Sequence, residues 1–238
     1  MLKRLLLLFA LCVTTPTLAQ QSNPISVPPL ATPVRFADAI NAFLAEDKTN
    51  PPPKDAILFI GSSIFRNWKN LKDHMAPLPV FNRAFGGSRT SDILYYMDKV
   101  VLPYEPRIIV YYCGSNDVNA GEKAVAIVDR FQQFVARVRI RLPKTQIYYV
   151  SINRAPQKKE RWDVVDTANK MIQDYCARNK AMGFIDVNTA LFDKDGKPRQ
   201  ELYLPDNLHF KDAAYDEFTA IIKPIITKAW TTGKVPSK

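Results

Sequence analysis

Histidine is nearly missing from this sequence: two residues in 238, against 33 lysines and arginines. Any chemistry that needs an imidazole must therefore use His74 or His209. Cysteine is scarce as well, at three. Cys12 lies inside an N-terminal apolar run and follows bulky Leu11, which argues against a lipidated cysteine. Cys113 and Cys176 are too few for a disulfide framework and read as two separate buried thiols, although a secreted location would permit a bridge. That first run is too short to span a bilayer, and no later apolar stretch is long enough either. No basic run is interleaved with stacking aromatics, so nucleic acid is not an expected partner. There is no internal repeat. "DKDGKPR" at 193–199 hints at a calcium loop but lacks the remaining ligands and the distal glutamate. It reads as a tight turn, and the expected chemistry needs no metal or other cofactor.

What is present begins with a short address. "MLKRLLLLFALCVTTPTLAQQ" sets Lys3 and Arg4 before an apolar run from Leu5 to Val13 and closes on Thr17-Leu18-Ala19. That is the pattern of a bacterial-type secretory signal cut after Ala19, and it places the mature chain in the periplasm or outside the cell. The expected organisation is a signal peptide over 1–19, a Pro-rich extended lead-in over 20–35, and a single domain over 36–238. Losing Lys3 and Arg4 lowers the formal net charge of +10 by two, so the mature chain stays basic. A hydrophobic fraction of 47% with 24% charged residues is ordinary for a globular domain with a substantial core.

After a short helix around 36–46 and the breaker "NPPP", strands and helices alternate. The strands are "AILFI" (56–60), "PVFNRA" (79–84), "RIIVYYC" (107–113), "QIYYVSI" (146–152) and "MGFIDV" (182–187). They are β-branched and aromatic without clean alternation, as strands buried on both faces should be. Helical spacing marks 122–141, through Val125, Val128, Phe131, Phe134, Val135 and Val138, and 160–179, through Trp162, Val165, Ala168, Ile172, Tyr175 and Cys176. A last helix over 212–226 opens on Asp212 as expected N-cap and should be kinked or shortened by Pro224. Strand–helix alternation predicts an α/β fold with a parallel sheet covered on both sides. Such sheets bind ligands beyond the carboxyl ends of their strands.

Those positions hold a consistent set of groups. Gly61-Ser62-Ser63 follows the first strand, Gly86-Gly87 the second, and Gly114-Ser115-Asn116-Asp117 the third; Asp206 and His209, in "PDNLHF", precede the last helix. Acyl transfer needs a nucleophile, a base, a group that orients the base, and donors for a developing oxyanion. Gly-Ser-Ser alone is a turn with a cap, Gly-Gly a flexible turn, Asn116 a turn former and "DNLH" an Asx-turn. Together they fill every role on one edge of one sheet. The three-residue spacing lets the Asp206 carboxylate fold back on the His209 imidazole, whereas His74, at a helix exit before the second strand, reads as an exposed or capping residue.

With these four blocks the chain resembles the SGNH (GDSL-type) hydrolases over nearly all of residues 55–228. The resemblance implies a flavodoxin-like three-layer α/β/α sandwich with a five-stranded parallel sheet. It also implies Ser63 as nucleophile, His209 as base, Asp206 as its orienting carboxylate, and an oxyanion hole made by the Ser63 and Gly87 amides and the Asn116 side chain. One position departs from the family: its first block usually reads Gly-Asp-Ser, and here the aspartate position holds Ser62. The expectation is that Ser62 supports the turn through hydrogen bonds to backbone.

The implied activity is a secreted serine ester hydrolase working through an acyl-enzyme on a small-molecule or glycan ester. No long insertion offers a lid or acyl-chain tunnel, which favours acetyl groups on a carbohydrate. The same machinery would serve a lysophospholipase, thioesterase or arylesterase; a non-catalytic glycan-binding relative would be expected to have lost part of the triad, which is intact. Arg66, Arg89, Arg154, Lys158, Lys159 and Arg161 gather after strands on the active face. The ordinary reading is solvated loop charge. The sharper one makes Arg66, Arg89 and Arg154 substrate-binding groups for an anionic, O-acetylated cell-wall or uronic-acid glycan.

Overall fold

The computed structural model of the chain describes residues 35–233. The signal peptide and nearly all of the Pro-rich lead-in expected from sequence lie outside them. Five parallel strands, β1 (Ile57–Gly61), β2 (Val80–Asn82), β3 (Ile108–Tyr112), β4 (Gln146–Val150) and β5 (Met182–Ile185), form one sheet in the order β2-β1-β3-β4-β5. This is the doubly wound, flavodoxin-like order, whose direction reverses between β1 and β3. The register pairs Gly61 with Tyr112 and Phe59 with Asn82, so the three strand ends that matter for chemistry finish close to one level.

Every residue of β1, β3 and β4 is buried, which is why their sequences are apolar without alternation. Alternation still decides which layer each side chain joins. Leu58, Ile60, Ile109, Tyr111, Ile147 and Tyr149 face a layer built from α1 (Ala37–Thr49), α4 (Thr90–Val100), α6 (Ala124–Arg141) and α7 (Trp162–Arg178). Ile57, Phe59, Val110, Tyr112 and Tyr148 face α2 (Ser63–Arg66), α3 (Leu71–Met75), α8 (Asn188–Leu191) and α9 (Asp212–Thr232). The remaining helix, α5 (Ser115–Asn119), sits at the end of β3.

Four details differ from the sequence expectation. The helix α4 falls where no periodicity is assigned, although Ile93, Leu94, Met97 and Val100 form its buried stripe. The strands β2, β4 and β5 end two residues earlier than expected. Asp212 is the first residue of α9 rather than its N-cap, which is Lys211; its carboxylate still lies in the first turn, where it opposes the helix dipole. Pro224 does not end α9, which continues to Thr232. Pro224 is exposed, while Ile222, Ile226 and Ala229 carry the buried stripe past it, so packing holds the helix through the missing hydrogen bond.

Cys113 and Cys176 are both buried, the first at the end of β3 and the second on the inner face of α7. In the 193–199 turn Asp193 Oδ1 accepts the amides of Asp195 and Lys197, each at 2.9 Å, which is turn chemistry. Among the described residues, no helix is long and apolar enough to cross a membrane.

Candidate active site

The chain leaves β1 through Gly61, whose φ of 154° and position against β3 leave no room for a side chain: a Cβ there would stand 1.8 Å from the Tyr112 carbonyl oxygen. That same carbonyl accepts the Ser62 amide at 3.1 Å, so the turn is stitched to β3 at its first residue. Ser63 then opens the four-residue helix α2. The helix is anchored from three sides. Phe65, and Trp68 just beyond the helix, are buried in the core on the α9 side of the sheet, Tyr215 of α9 donates to the Ile64 carbonyl at 2.9 Å, and Asn82 at the end of β2 donates to the Phe65 carbonyl at 2.7 Å. Ser63 is thereby held half-exposed on a rigid stub.

Ser62 does less than expected. It is buried and its amide is bonded, but its hydroxyl finds no partner among the described residues. Support for the turn comes from the backbone and from Gly61, not from the Ser62 side chain.

His209 arrives in a loop closed by the Tyr203–Phe210 bridge and by the Leu204 amide, which donates to the His209 carbonyl at 2.8 Å. Asn207 takes the left-handed turn position, with φ 55°, that asparagine tolerates well. Asp206 Oδ1 accepts the Leu208 and His209 amides at 3.0 and 2.9 Å, which aims Oδ2 at His209 Nδ1, 2.6 Å away. His209 Nε2 lies 2.9 Å from Ser63 Oγ. Burial works against the Asp206 charge, but hydrogen bonds from the His209 ring and from the two amides outweigh it and bring its pKa down to about 2. An ionised carboxylate only accepts, so Nδ1 carries the proton and Nε2 is left to accept from the Ser63 hydroxyl.

The turn after β2 is pinned to the same point. Gly61 O accepts both the Phe85 amide at 2.9 Å and the Ser88 hydroxyl at 3.1 Å. Gly87, at φ 81°, lies between those anchors in a conformation that favours glycine. Asn116, in the first turn of α5, donates from Nδ2 to the Ser88 carbonyl at 2.9 Å, using one of its two amide protons. Among the described residues the Ser63 and Gly87 amides donate to no other group. The Ser63 amide, the Gly87 amide and one Asn116 amide proton are thus uncommitted among the described residues. Ser88, which ties the Gly87 turn to both Gly61 and Asn116, goes unread in the sequence; a serine directly after Gly-Gly at a strand end was its only signal.

The basic residues divide. Arg66 is exposed, with its guanidinium lying over Gly86, and Arg89 caps the start of α4, where its amide donates to Asp92 at 2.8 Å. Neither guanidinium is paired with a carboxylate among the described residues. Arg154 is differently placed: its guanidinium sits 4.6 Å from the Trp162 ring centroid and 5.0 Å from that of Phe192, and Nε lies 3.3 Å from Asp166. Arg161 donates to the Glu122 carbonyl at 3.1 Å. Lys158 is buried, against the expectation of a solvated charge, and burial lowers its pKa to about 8. His74 is not an exposed or capping group either. It accepts from Trp68 Nε1 at 2.9 Å and lies 3.4 Å from Asp216, tying α3 to α9. A cavity of about 510 Å³ lined by Arg107, Arg141, Lys144 and Gln146 opens at the other, N-terminal ends of the strands.

A doubly wound parallel sheet here carries a Ser–His–Asp hydrogen-bond chain at its switch point, and the family this chain matches is one of ester hydrolases. Residues 59–217 match the GDSL-like lipase/acylhydrolase family, and the chain belongs to it. Solved structures with the same fold include a GDSL-like lipase from Bacteroides thetaiotaomicron, 18% identical, covering 80% of this chain and 98% of its own, with a TM-score of 0.67. A carbohydrate esterase family 3 protein from Talaromyces cellulolyticus is 16% identical, covering 74% and 98%, with a TM-score of 0.60. A family 3 carbohydrate esterase from Clostridium thermocellum is 12% identical, covering 76% and 100%, with a TM-score of 0.60. At these identities the likeness is one of fold. No curated protein matches the sequence.

Proposed function

We propose that this hydrolase removes acetyl groups from a carbohydrate, with Ser63 as nucleophile, His209 as general base and Asp206 as its orienting carboxylate. The observation that carries the reading is the unbroken chain from Asp206 Oδ2 through the imidazole to Ser63 Oγ, with spacings of 2.6 and 2.9 Å. Ser63 Oγ attacks the ester carbonyl as its proton passes to His209 Nε2. Charge develops on the carbonyl oxygen, where the Ser63 and Gly87 amides and the second Asn116 amide proton stabilise it. His209 returns the proton to the departing alcohol, leaving an acetyl-enzyme; it then deprotonates the water that releases acetate and restores Ser63.

The short acyl preference is supported by the absence of any lid-forming insertion between the elements of residues 35–233. The carbohydrate is supported by the shared fold of the two carbohydrate esterases. An anionic glycan is favoured by Arg66, whose guanidinium lies over Gly86, and by Arg89 two residues after Gly87, neither paired with a carboxylate among the described residues, while Arg154 is already engaged. Export rests on the N-terminal signal pattern, and the mass of the mature N-terminus would test it.

The decisive experiment is acetate release from a panel of neutral and anionic acetylated glycans, run beside Ser63→Ala and a chain-length series of simple esters. Ser63→Ala should be inactive and the series should peak at acetate. A Ser63→Ala protein as active as wild type removes the assignment, and a peak at about eight carbons removes the acetyl reading. On an anionic glycan kcat/KM should fall with added salt while a neutral ester is unaffected; an equal response removes the role of the arginines.

A further inference from the structure

The structure assigns Asp117 the role of positioning residue for the oxyanion donors: it braces the Gly87 turn against Asn116. This role presupposes ester hydrolysis at Ser63 as proposed above. Asp117 is fully buried, next in sequence to Asn116 on α5. Its two carboxylate oxygens each accept the Thr90 amide at 3.1 Å, and Oδ1 also accepts the Thr90 hydroxyl at 2.5 Å. Arg130 of α6 reaches Oδ1 at 3.3 Å and pairs as well with Glu122, whose amide donates to the Asp117 carbonyl at 3.0 Å.

Two adjacent side chains of α5 therefore grip two nearby residues of one segment. Asn116 holds Ser88 through its carbonyl, and Asp117 holds Thr90 through both amide and hydroxyl. Gly87 lies directly before the first grip. With Gly61 O holding Phe85 and Ser88, the 85–90 segment has no free path by which the Gly87 amide could drift relative to Asn116 Nδ2. The hydrogen bond from Asn116 to Ser88 fixes the Asn116 amide only as well as the Ser88 carbonyl is itself held, and the Thr90 clamp two residues on holds that segment. A buried, charged carboxylate is a costly way to gain stability alone, because well-packed apolar groups serve as well or better. Its value here is directional: a carboxylate accepts three hydrogen bonds at fixed angles and a methyl group accepts none.

Donors aimed at charge that exists only in the transition state act on kcat rather than on substrate binding. The test measures acetate-ester kinetics for Asp117→Asn and Thr90→Val, each alone and combined with Asn116→Ala, together with thermal melting and Ser63→Ala. Asp117→Asn should lower kcat about tenfold to a hundredfold with KM within about twofold, as roughly 1 Å misplacement of a catalytic group does. Thr90→Val, which keeps the amide contact and the fold, should lower kcat about threefold to tenfold. In the Asn116→Ala background both losses should shrink below about threefold, since the brace sets the Gly87 turn against Asn116 and one side of that pair is gone. Losses that multiply instead, or a lowered melting temperature with wild-type kcat, overturn the brace. If Asp117→Asn fails to fold, the Thr90→Val cycle decides. An active Ser63→Ala would remove the ester-hydrolysis reading and leave the brace to NMR, where unchanged Asn116 side-chain amide signals in Thr90→Val overturn it.

Discussion

Replacing Gly61 by alanine should damage stability and chemistry together, and the structure sets the size of the effect. The added Cβ would stand 1.8 Å from the Tyr112 carbonyl oxygen, where contacts under 3.0 Å are essentially never found. The obstacle is backbone in a paired strand, so it cannot rotate aside. The ends of β1 and β3 must part by about 1.2 Å, the difference between those two distances. The Ser62 amide, now 3.1 Å from that carbonyl, then loses its bond, and a buried donor and acceptor go unpaired. One such loss costs about 1–3 kcal/mol; with strain from the glycine conformation, the total comes to about 3–5 kcal/mol. For a domain of this size that lowers the melting temperature by roughly 10 °C. Ser63 moves with the turn, and a displacement near 1 Å from His209 costs about a hundredfold in kcat. Urea unfolding and steady-state hydrolysis of an acetate ester on the same preparation measure both. A Gly61→Ala protein melting within about 2 °C of wild type with kcat within about twofold would refute the reasoning.

Asn116→Ala should lower kcat about a hundredfold with little change in KM, the signature of one lost oxyanion donor; an unchanged kcat would exclude Asn116 from that role. Asp206→Asn keeps an acceptor for the two amides but not the charge facing His209, and should cost about a hundredfold or more in kcat at neutral pH. Because folding depresses the Asp206 pKa to about 2 from 3.8, its stabilisation is complete above about pH 4 and is lost as pH falls through about 2. The stability difference between wild type and Asp206→Asn should therefore hold from pH 7 to 5 and close below pH 4; urea titrations that find it constant to pH 2 would contradict this. Ser62→Ala removes a buried hydroxyl without a protein partner, so it should change stability by no more than about 0.5 kcal/mol and leave kcat within about threefold.

How far the site was legible depended on whether a residue's role is local. Gly-Ser-Ser after an apolar run and "DNLH" before a helix could be read because a strand end, a turn and a three-residue fold-back are short-range features. Alternating strands and helices pointed to a parallel sheet for the same reason. Interactions across elements left no such trace. His74 looked exposed because nothing local places Asp216, 142 positions away, beside it or turns the Trp68 indole toward it. Lys158 looked like one more loop cation because its burial is decided by distant packing.

The local pattern of this chain determined which residue types stand at the carboxyl ends of its strands and which strands are buried on both faces. Tertiary structure decided what those residues do to one another. The Ser62 hydroxyl is left unpartnered by its surroundings, Arg154 is taken up by Trp162, Phe192 and Asp166, and Ser63 comes within 2.9 Å of a histidine 146 positions away. Hydrogen bonds and charge pairing act over a few ångströms of space, and only the closed fold turns sequence separations of that size into such distances.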